Sequence, residues 1–334
     1  MRFDFNMVVW GEAYVSTLIE AVLPNQATPG NLGAFAGDAD CRYRIFTRRA
    51  DAERLLASAV YPRLAAAMPV EFVLDESLGA RDGHEANYAD MTRCHRQALA
   101  DAAQRDAAIV FLPADCLWSE GSFAAMRRRR AEGKLVVLNP GIRLVRETAY
   151  PAFLQAFGVA AAAAPSGREL ARFALAHLHP LTRAAFHDAP SFIAWPSNVL
   201  WRAPEGFIVR AFHLHPFMID TQGRRADYGI SLDQDLLESV RPEAGEIHVA
   251  LDSDEILQVS FEPEGHRPDL LPAANRLSLQ KVVEWARRYS APVQHRLFAE
   301  RACRVHAGEI GPEWREAELA SARFGDKVRV VLGL

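Results

Sequence analysis

Short apolar runs alternate with amphipathic stretches through the first 140 residues of the chain. "FNMVVW" (Phe5 to Trp10) reads as a strand, and "EAYVSTLIEAVL" (Glu12 to Leu23) repeats its apolar positions at helical spacing. "YRIFT" (Tyr43 to Thr47) predicts a second strand, followed by a helix from Asp51 to Ala67. "VEFVL" (Val70 to Leu74), a helix across "YADMTRCHRQALADAAQ" and "AAIVFL" (Ala107 to Leu112) continue the alternation. Ser122 is placed to cap the helix "FAAMRRRRAE", and Gly133 to end it before the strand "KLVVLN". Strands separated by helices of this length predict βαβ units, hence an α/β fold with a Rossmann-like, doubly wound and mostly parallel sheet.

The pattern changes near Tyr150 to Gly167, where Ala and Pro dominate. Beyond it the helix "GRELARFALAHLHP" stops at Pro180. An aromatic and Pro-rich stretch with strand-like alternation then runs to "RAFHLHPFMI". "GEIHVALDSDEILQVSFEP" reads as strand, acidic turn and strand; Leu277 to about Arg323 reads as helical, with "KVRVVLGL" as a last short strand. Three regions follow from this: an α/β half over 1–150, a mixed α/β region over 151–275 and a helical C-terminal segment over 276–334.

Composition narrows the function classes. A formal charge of -4 argues against a nucleic-acid binder, which needs a basic surface. The one strong basic run, Arg127 to Arg130, lies within a predicted helix and reads as a solvated face. The four cysteines have no CxxC spacing and suit a reducing cytoplasm. No apolar run approaches the ~18 residues that span a bilayer, and the N-terminus lacks a signal-peptide core. There is no GxGxxG after the first strand and no GxxxxGK[ST], which excludes the familiar dinucleotide and P-loop signatures.

Open parallel sheets bind ligands at the carboxyl ends of their strands. Those ends carry Gly11 and Tyr14 after the first strand, Asp75 after the third and Asp115 after "AAIVFL". The loop "LPNQATPGNLGAF", which holds Asn31, can present backbone N–H groups to an anion or simply connect two elements. In the second half, His213 and His215 alternate, so they share one side of a strand. Asp233 and Asp235 are two apart, as are Asp252 and Asp254, with Glu255 adjacent. Carboxylates and imidazoles in apolar segments are costly to bury unless paired or bound to a cation. Residue type alone leaves both readings open: metal or acid/base groups, or helix caps, a solvated hairpin and a wet strand face.

The β/α half with an acid directly after the strand ending near residue 112, "AIVFLPADCLWSEGSF", resembles the GT-A class of nucleotide-sugar-dependent glycosyltransferases. In that class an Asp-x-Asp at this position holds a divalent cation against the donor diphosphate. Here Pro113 stands at the first acid and Asp115 at the second, which puts classical metal dependence in question. The resemblance implies a nucleotide-diphosphate sugar as donor, Mn²⁺ or Mg²⁺ as cofactor, and a glycan, lipid or small-molecule hydroxyl as acceptor. It implies that Gly11, Tyr14, Asn31 and Asp75 line the nucleotide pocket, with His95 on the donor side. Asp115, His213 and His215 then meet the cation or diphosphate, and Asp252, Asp254, Glu255 and Asp233 supply the general base.

Two other readings stand beside it. One is a metal-dependent hydrolase using His213, His215, Asp233, Asp252 and Asp254. The other is a non-catalytic nucleotide-binding module that forms homo-oligomers through its C-terminal helices.

Overall fold

The structure is a computed structural model that describes residues 1–81, 83–158, 163–229 and 232–334. Its strands are β1 (Phe3–Val8), β2 (Arg42–Thr47), β3 (Val70–Leu74), β4 (Ala108–Pro113), β5 (Cys116–Trp118), β6 (Val136–Asn139) and β7 (Ile142–Val145). They continue as β8 (Asn198–Ala203), β9 (Gly206–Ala211), β10 (His215–Ile219), β11 (Ile247–Val249), β12 (Gln258–Glu262) and β13 (Cys303–His306).

The central sheet has the order β11-β6-β10-β4-β1-β2-β3. β10 runs antiparallel to both its neighbours, and the other pairs are parallel. The fold is therefore mixed α/β with a mostly parallel sheet. The sheet spans the boundary expected near residue 150, because β10 and β11 belong to the second region.

β1 is buried along its whole length. Phe3, Phe5 and Met7 join a core shared with Val15, Leu18 and Val22 of the first helical run and with Phe123 and Met126 of the helix Ser122–Ala131. Phe5 packs on Phe35 and Phe123 with ring centroids 5.0 and 5.5 Å apart. Val8, Phe46, Ile109 and Phe111 join a second core with Cys94, Ala98 and Leu99 of the helix His84–Gln104 and with Leu232, Leu236 and Val240. Both faces are thus covered, and each fully buried phenylalanine contributes about 1.5–3 kcal/mol.

Two small sheets flank this core, β5-β12-β7 and β13-β9-β8. β12 lies antiparallel to β5 and parallel to β7, so it carries its last residue, Glu262, toward the end of β4.

Several expectations change. "RAFHLHPFMID" is two strands: β9 ends at Ala211 in one sheet, β10 begins at His215 in another, and the chain bends between them. The helix expected over 51–67 divides into Arg49–Leu56 and Tyr61–Ala67, with Pro62 in the first turn of the second. The final run "KVRVVL" is helical, within Arg315–Leu332. Its buried positions, Ala317, Ser321, Gly325 and Val328, keep helical spacing, and that period overrides the local β-branched content. The C-terminal segment also contains β13.

The basic run is not a solvated face. Arg130 pairs with Asp220 at 2.8 Å, Arg129 with Glu255 at 2.6 Å, and Arg127 with Asp38 at 3.4 Å. Among the described residues no helix is long and apolar enough to cross a membrane.

Candidate functional site

The order of the sheet reverses at β1. The chain moves outward through β2 and β3 on one side, and β4 then lands on the other. Loops leaving two such strands diverge, which opens a crevice beyond their carboxyl ends. β1 delivers Gly11 and the helix Glu12–Thr17; β4 delivers Asp115. Gly11 has φ +82°, donates its N–H to Asp51 Oδ2 at 3.1 Å, and a Cβ there would meet nothing within 4 Å. Its backbone faces open space, in a conformation that favours glycine.

Asp115 is half-buried. Its carbonyl accepts from the Phe261 N–H at 3.0 Å, which sets Glu262 beside it. Burial and the Glu262 carboxylate push the Asp115 carboxyl up to about 7, against a smaller opposing pull from Arg146. Burial likewise raises Glu262, opposed by Arg143. His266 Nε2 lies 3.4 Å from Glu262 Oε2. Arg143, on β7, is exposed; its carbonyl accepts from the His179 N–H and Thr182 Oγ1, while its guanidinium makes no hydrogen bond or ion pair among the described residues. Arg146 is anchored by the Ala13 carbonyl at 3.3 Å and Thr17 Oγ1 at 2.5 Å.

Two tyrosines stand at this edge. Tyr14 is 48% exposed and Tyr88 43%. Partial burial and the Asp115 and Glu262 carboxylates push the Tyr14 hydroxyl up to about 12, and burial with Glu262 raises Tyr88.

The antiparallel register of β10 on β4 carries His215 to the same edge. His215 Nδ1 lies 2.6 Å from Asp233 Oδ1, and its Nε2 is buried with no hydrogen-bond partner among the described residues. Burial alone would raise Asp233, but His215, His213 and Arg143 outweigh it and hold the carboxyl below its ordinary value. His213 gives Nε2 to the Tyr289 carbonyl at 2.8 Å and lies against Trp285; burial lowers its pKa. His95 is buried on Phe111, and burial with the nearby His215 pushes it down to about 3, so it is neutral.

Of the residues singled out from the sequence, Gly11, Tyr14, Asp115, His213, His215, Asp233 and His95 lie at or against this edge. Asn31 does not line it. Asn31 is fully buried, with its Nδ2 on the Asn25 carbonyl and its Oδ1 accepting from the Phe123 N–H. Asp75, at the far strand β3, is committed to Ser77 and Arg93, and the Ser77 bond holds its carboxyl low.

Asp252, Asp254 and Glu255 have other partners: His306, Arg168, and the pair Arg129 and His248. None of these partners touches Asp115. Nor do Asp115, His213 and His215 bring three ligating atoms together. Among the described residues the group of that kind is Asp252, Asp254 and His306.

Glu262, Arg143, Arg146 and Tyr88 were missed. The signal for the first three was a charge inside an otherwise apolar strand or at its end, in "QVSFE" and "IRLVR". Two concavities lie elsewhere: about 260 Å³ beside Trp285 and Tyr289, and about 810 Å³ along the β11 edge. The convergence of charge marks the Asp115 edge as the candidate site.

No protein-family model matches the chain, and no curated protein matches it. Two solved structures of S. aureus TarS are similar in part. The structure titled TarS 1-349 shares 15% identity over 42% of this chain and 36% of that one, with a TM-score of 0.28. The other shares 11% identity over 90% of this chain and 42% of that one, with a TM-score of 0.31. The chain thus spans about two fifths of TarS, at a likeness too distant to assign an activity.

Proposed function

We propose that the chain is a nucleotide-sugar-dependent glycosyltransferase of the GT-A type, with a Rossmann-like, doubly wound donor half over 1–150. The acceptor side is then 151–275, and the helices of 276–334 pack on both. The observation that carries this reading is the Asp115–Glu262 carboxyl pair at the β1/β4 crevice, flanked by the exposed Arg143 and the rim tyrosines. Two adjacent carboxyls that resist joint ionisation fit a hard divalent cation, which prefers oxygen ligands. Glu262 thereby stands in space for the acid that Pro113 displaces in sequence.

Asp115 and Glu262 would hold Mn²⁺ or Mg²⁺, which supplies positive charge against a diphosphate. Arg143 meets the phosphate oxygens, a role suited to its uncommitted guanidinium. Gly11 lets the donor approach the backbone, and Tyr14 and Tyr88 offer ring faces to the base. Asp233, kept ionised by His215, takes the proton from the acceptor hydroxyl. The acceptor oxygen bonds to the anomeric carbon as the bond from that carbon to the diphosphate oxygen breaks. Asp252, Asp254 and Glu255 have no part in this assignment. The four free cysteines, all buried, support a reducing cytoplasmic setting.

The test is turnover of a UDP- or GDP-sugar, with water or an added hydroxyl as acceptor. Asp233→Asn should cut turnover about 10²–10⁴-fold while leaving donor binding intact. Undiminished turnover would remove Asp233 from the role.

A further inference from the structure

A second set of ligating atoms lies where the turn after β11 meets β13. Asp252 bridges to Arg304, and Ser253 is tied to the strand twice. Its N–H donates to the Arg304 carbonyl at 2.9 Å, and its Oγ accepts from the His306 N–H at 3.1 Å. This ladder brings one atom each of Asp252, Asp254 and His306 within 4.8 Å of one another.

The orientation of His306 sets this group apart from an ordinary acidic turn. The ring is 2% exposed, and Nδ1 lies 2.6 Å from the Gly308 carbonyl oxygen. A carbonyl only accepts, so Nδ1 carries the proton. In the neutral ring Nε2 is then a bare lone pair. It lies 2.8 Å from Asp252 Oδ1 and 4.0 Å from Asp254 Oδ1, both of which are also acceptors. Asp252 Oδ1 also accepts from the Asp254 N–H at 2.9 Å, but between the ring nitrogen and the two carboxylates there is no donor unless the ring is an imidazolium or a cation sits between them.

A backbone carbonyl fixing the far nitrogen is the arrangement that orients metal-bound histidines. The two separations from Nε2 suit one ion, since atoms bound at ~2.0–2.2 Å stand about 3 Å apart when adjacent and about 4 Å when nearly opposite. Arg168 leaves room for it: Nη2 and Nε bind Asp254 Oδ2 at 3.0 and 3.1 Å, and only Nε approaches Oδ1, at 3.3 Å.

We propose that Asp252, Asp254 and His306 bind one divalent cation of borderline character, such as Mn²⁺ or Zn²⁺. Two carboxylates with an imidazole select that class, and water completes the shell. The ion acts as a clasp between the turn and β13, which is held to the last helix by the Arg304–Glu318 pair at 2.8 Å. The site is independent of the Asp115 edge and of the transferase reading.

The test uses the full chain carrying Asp115→Asn and Glu262→Gln, so that the other cation position is disabled. Titration with Mn²⁺, followed by electron paramagnetic resonance, should still find one bound ion. Adding Asp252→Asn should weaken it about a hundredfold or more, since even outer-shell partners of a metal ligand are worth 10–100-fold. Should that variant fail to fold, ¹H–¹⁵N spectra of the double variant serve in its place. His306 should show an unprotonated Nε2 that shifts on addition of Zn²⁺, with the Nδ1 proton retained. No Mn²⁺ bound by the double variant, or a His306 protonated on both nitrogens and unmoved by Zn²⁺, overturns the proposal in favour of a plain ion pair.

Discussion

Asp115 and Glu262 illustrate how much one residue's neighbours decide. Asp115 follows the most apolar strand of the chain, and its position was readable because parallel strands end at ligand sites. Glu262 sits 147 residues later, and only the pairing of β12 with β5 brings it alongside. Residue spacing in sequence carries no record of that pairing.

The pair has a signed consequence for stability. Asp115 ionises near 7 when folded, above its ordinary range, so the folded chain holds this proton more tightly than the unfolded one. Its stabilising contribution is complete in acid below the ordinary carboxyl value, and it is lost as pH rises toward 7. Glu262 is shifted in the same direction. Asp115→Asn and Glu262→Gln should therefore raise the melting temperature by a few degrees at pH 8, with the gain vanishing near pH 4. An equal gain at both pH values, read by calorimetry, would mean that the carboxyls do not strain each other.

At the scale of elements, the helix Ser122–Ala131 was legible and its surface was not. Four consecutive arginines look solvent-facing, yet three of them pair with acids from distant segments, Arg127 and Arg129 while still partly exposed. The Arg130–Asp220 pair is enclosed, with side chains 10% and 7% exposed. Arg130→Met or Asp220→Asn alone strands a buried charge and should cost about 3–5 kcal/mol. The check is the urea midpoint at unchanged m-value.

The last helix makes a similar point. Alanine is normally preferred to glycine in a helix by about 1 kcal/mol. At Gly325, however, a Cβ would stand 2.8 Å from the Ala299 carbonyl oxygen and 2.7 Å from Arg210 Nη1. Arg210 is itself buried and committed to the Phe298 and Ala299 carbonyls, so neither neighbour yields cheaply. Gly325→Ala should lose about 1–3 kcal/mol net. A gain in stability would show that this helix end can shift. The period of the buried face predicts that Lys327 to Leu332 is helical; the local β-branched content pointed the other way, and tertiary packing prevailed.

For the whole molecule, alternation of apolar runs and amphipathic stretches was enough to foresee the mostly parallel sheet. It could not foresee that β10 and β11 complete that sheet from beyond residue 150. The Pro216-containing segment and the three-residue β11 carry too little periodicity to announce their partners. That same insertion joins the two halves of the candidate site, since His215 and Asp233 reach the edge only through β10 and the helix Leu232–Val240. A ligand bound across this junction should therefore stiffen the whole chain and raise a single cooperative transition.

The most direct measurement is the melting temperature of the full chain against a panel of UDP-, GDP- and other nucleotide sugars, with and without Mn²⁺. The transferase reading predicts that at least one nucleotide sugar raises it by several degrees, more strongly with Mn²⁺, and that Arg143→Ala and Asp115→Asn remove the shift. No shift with any nucleotide, under either condition, would contradict it.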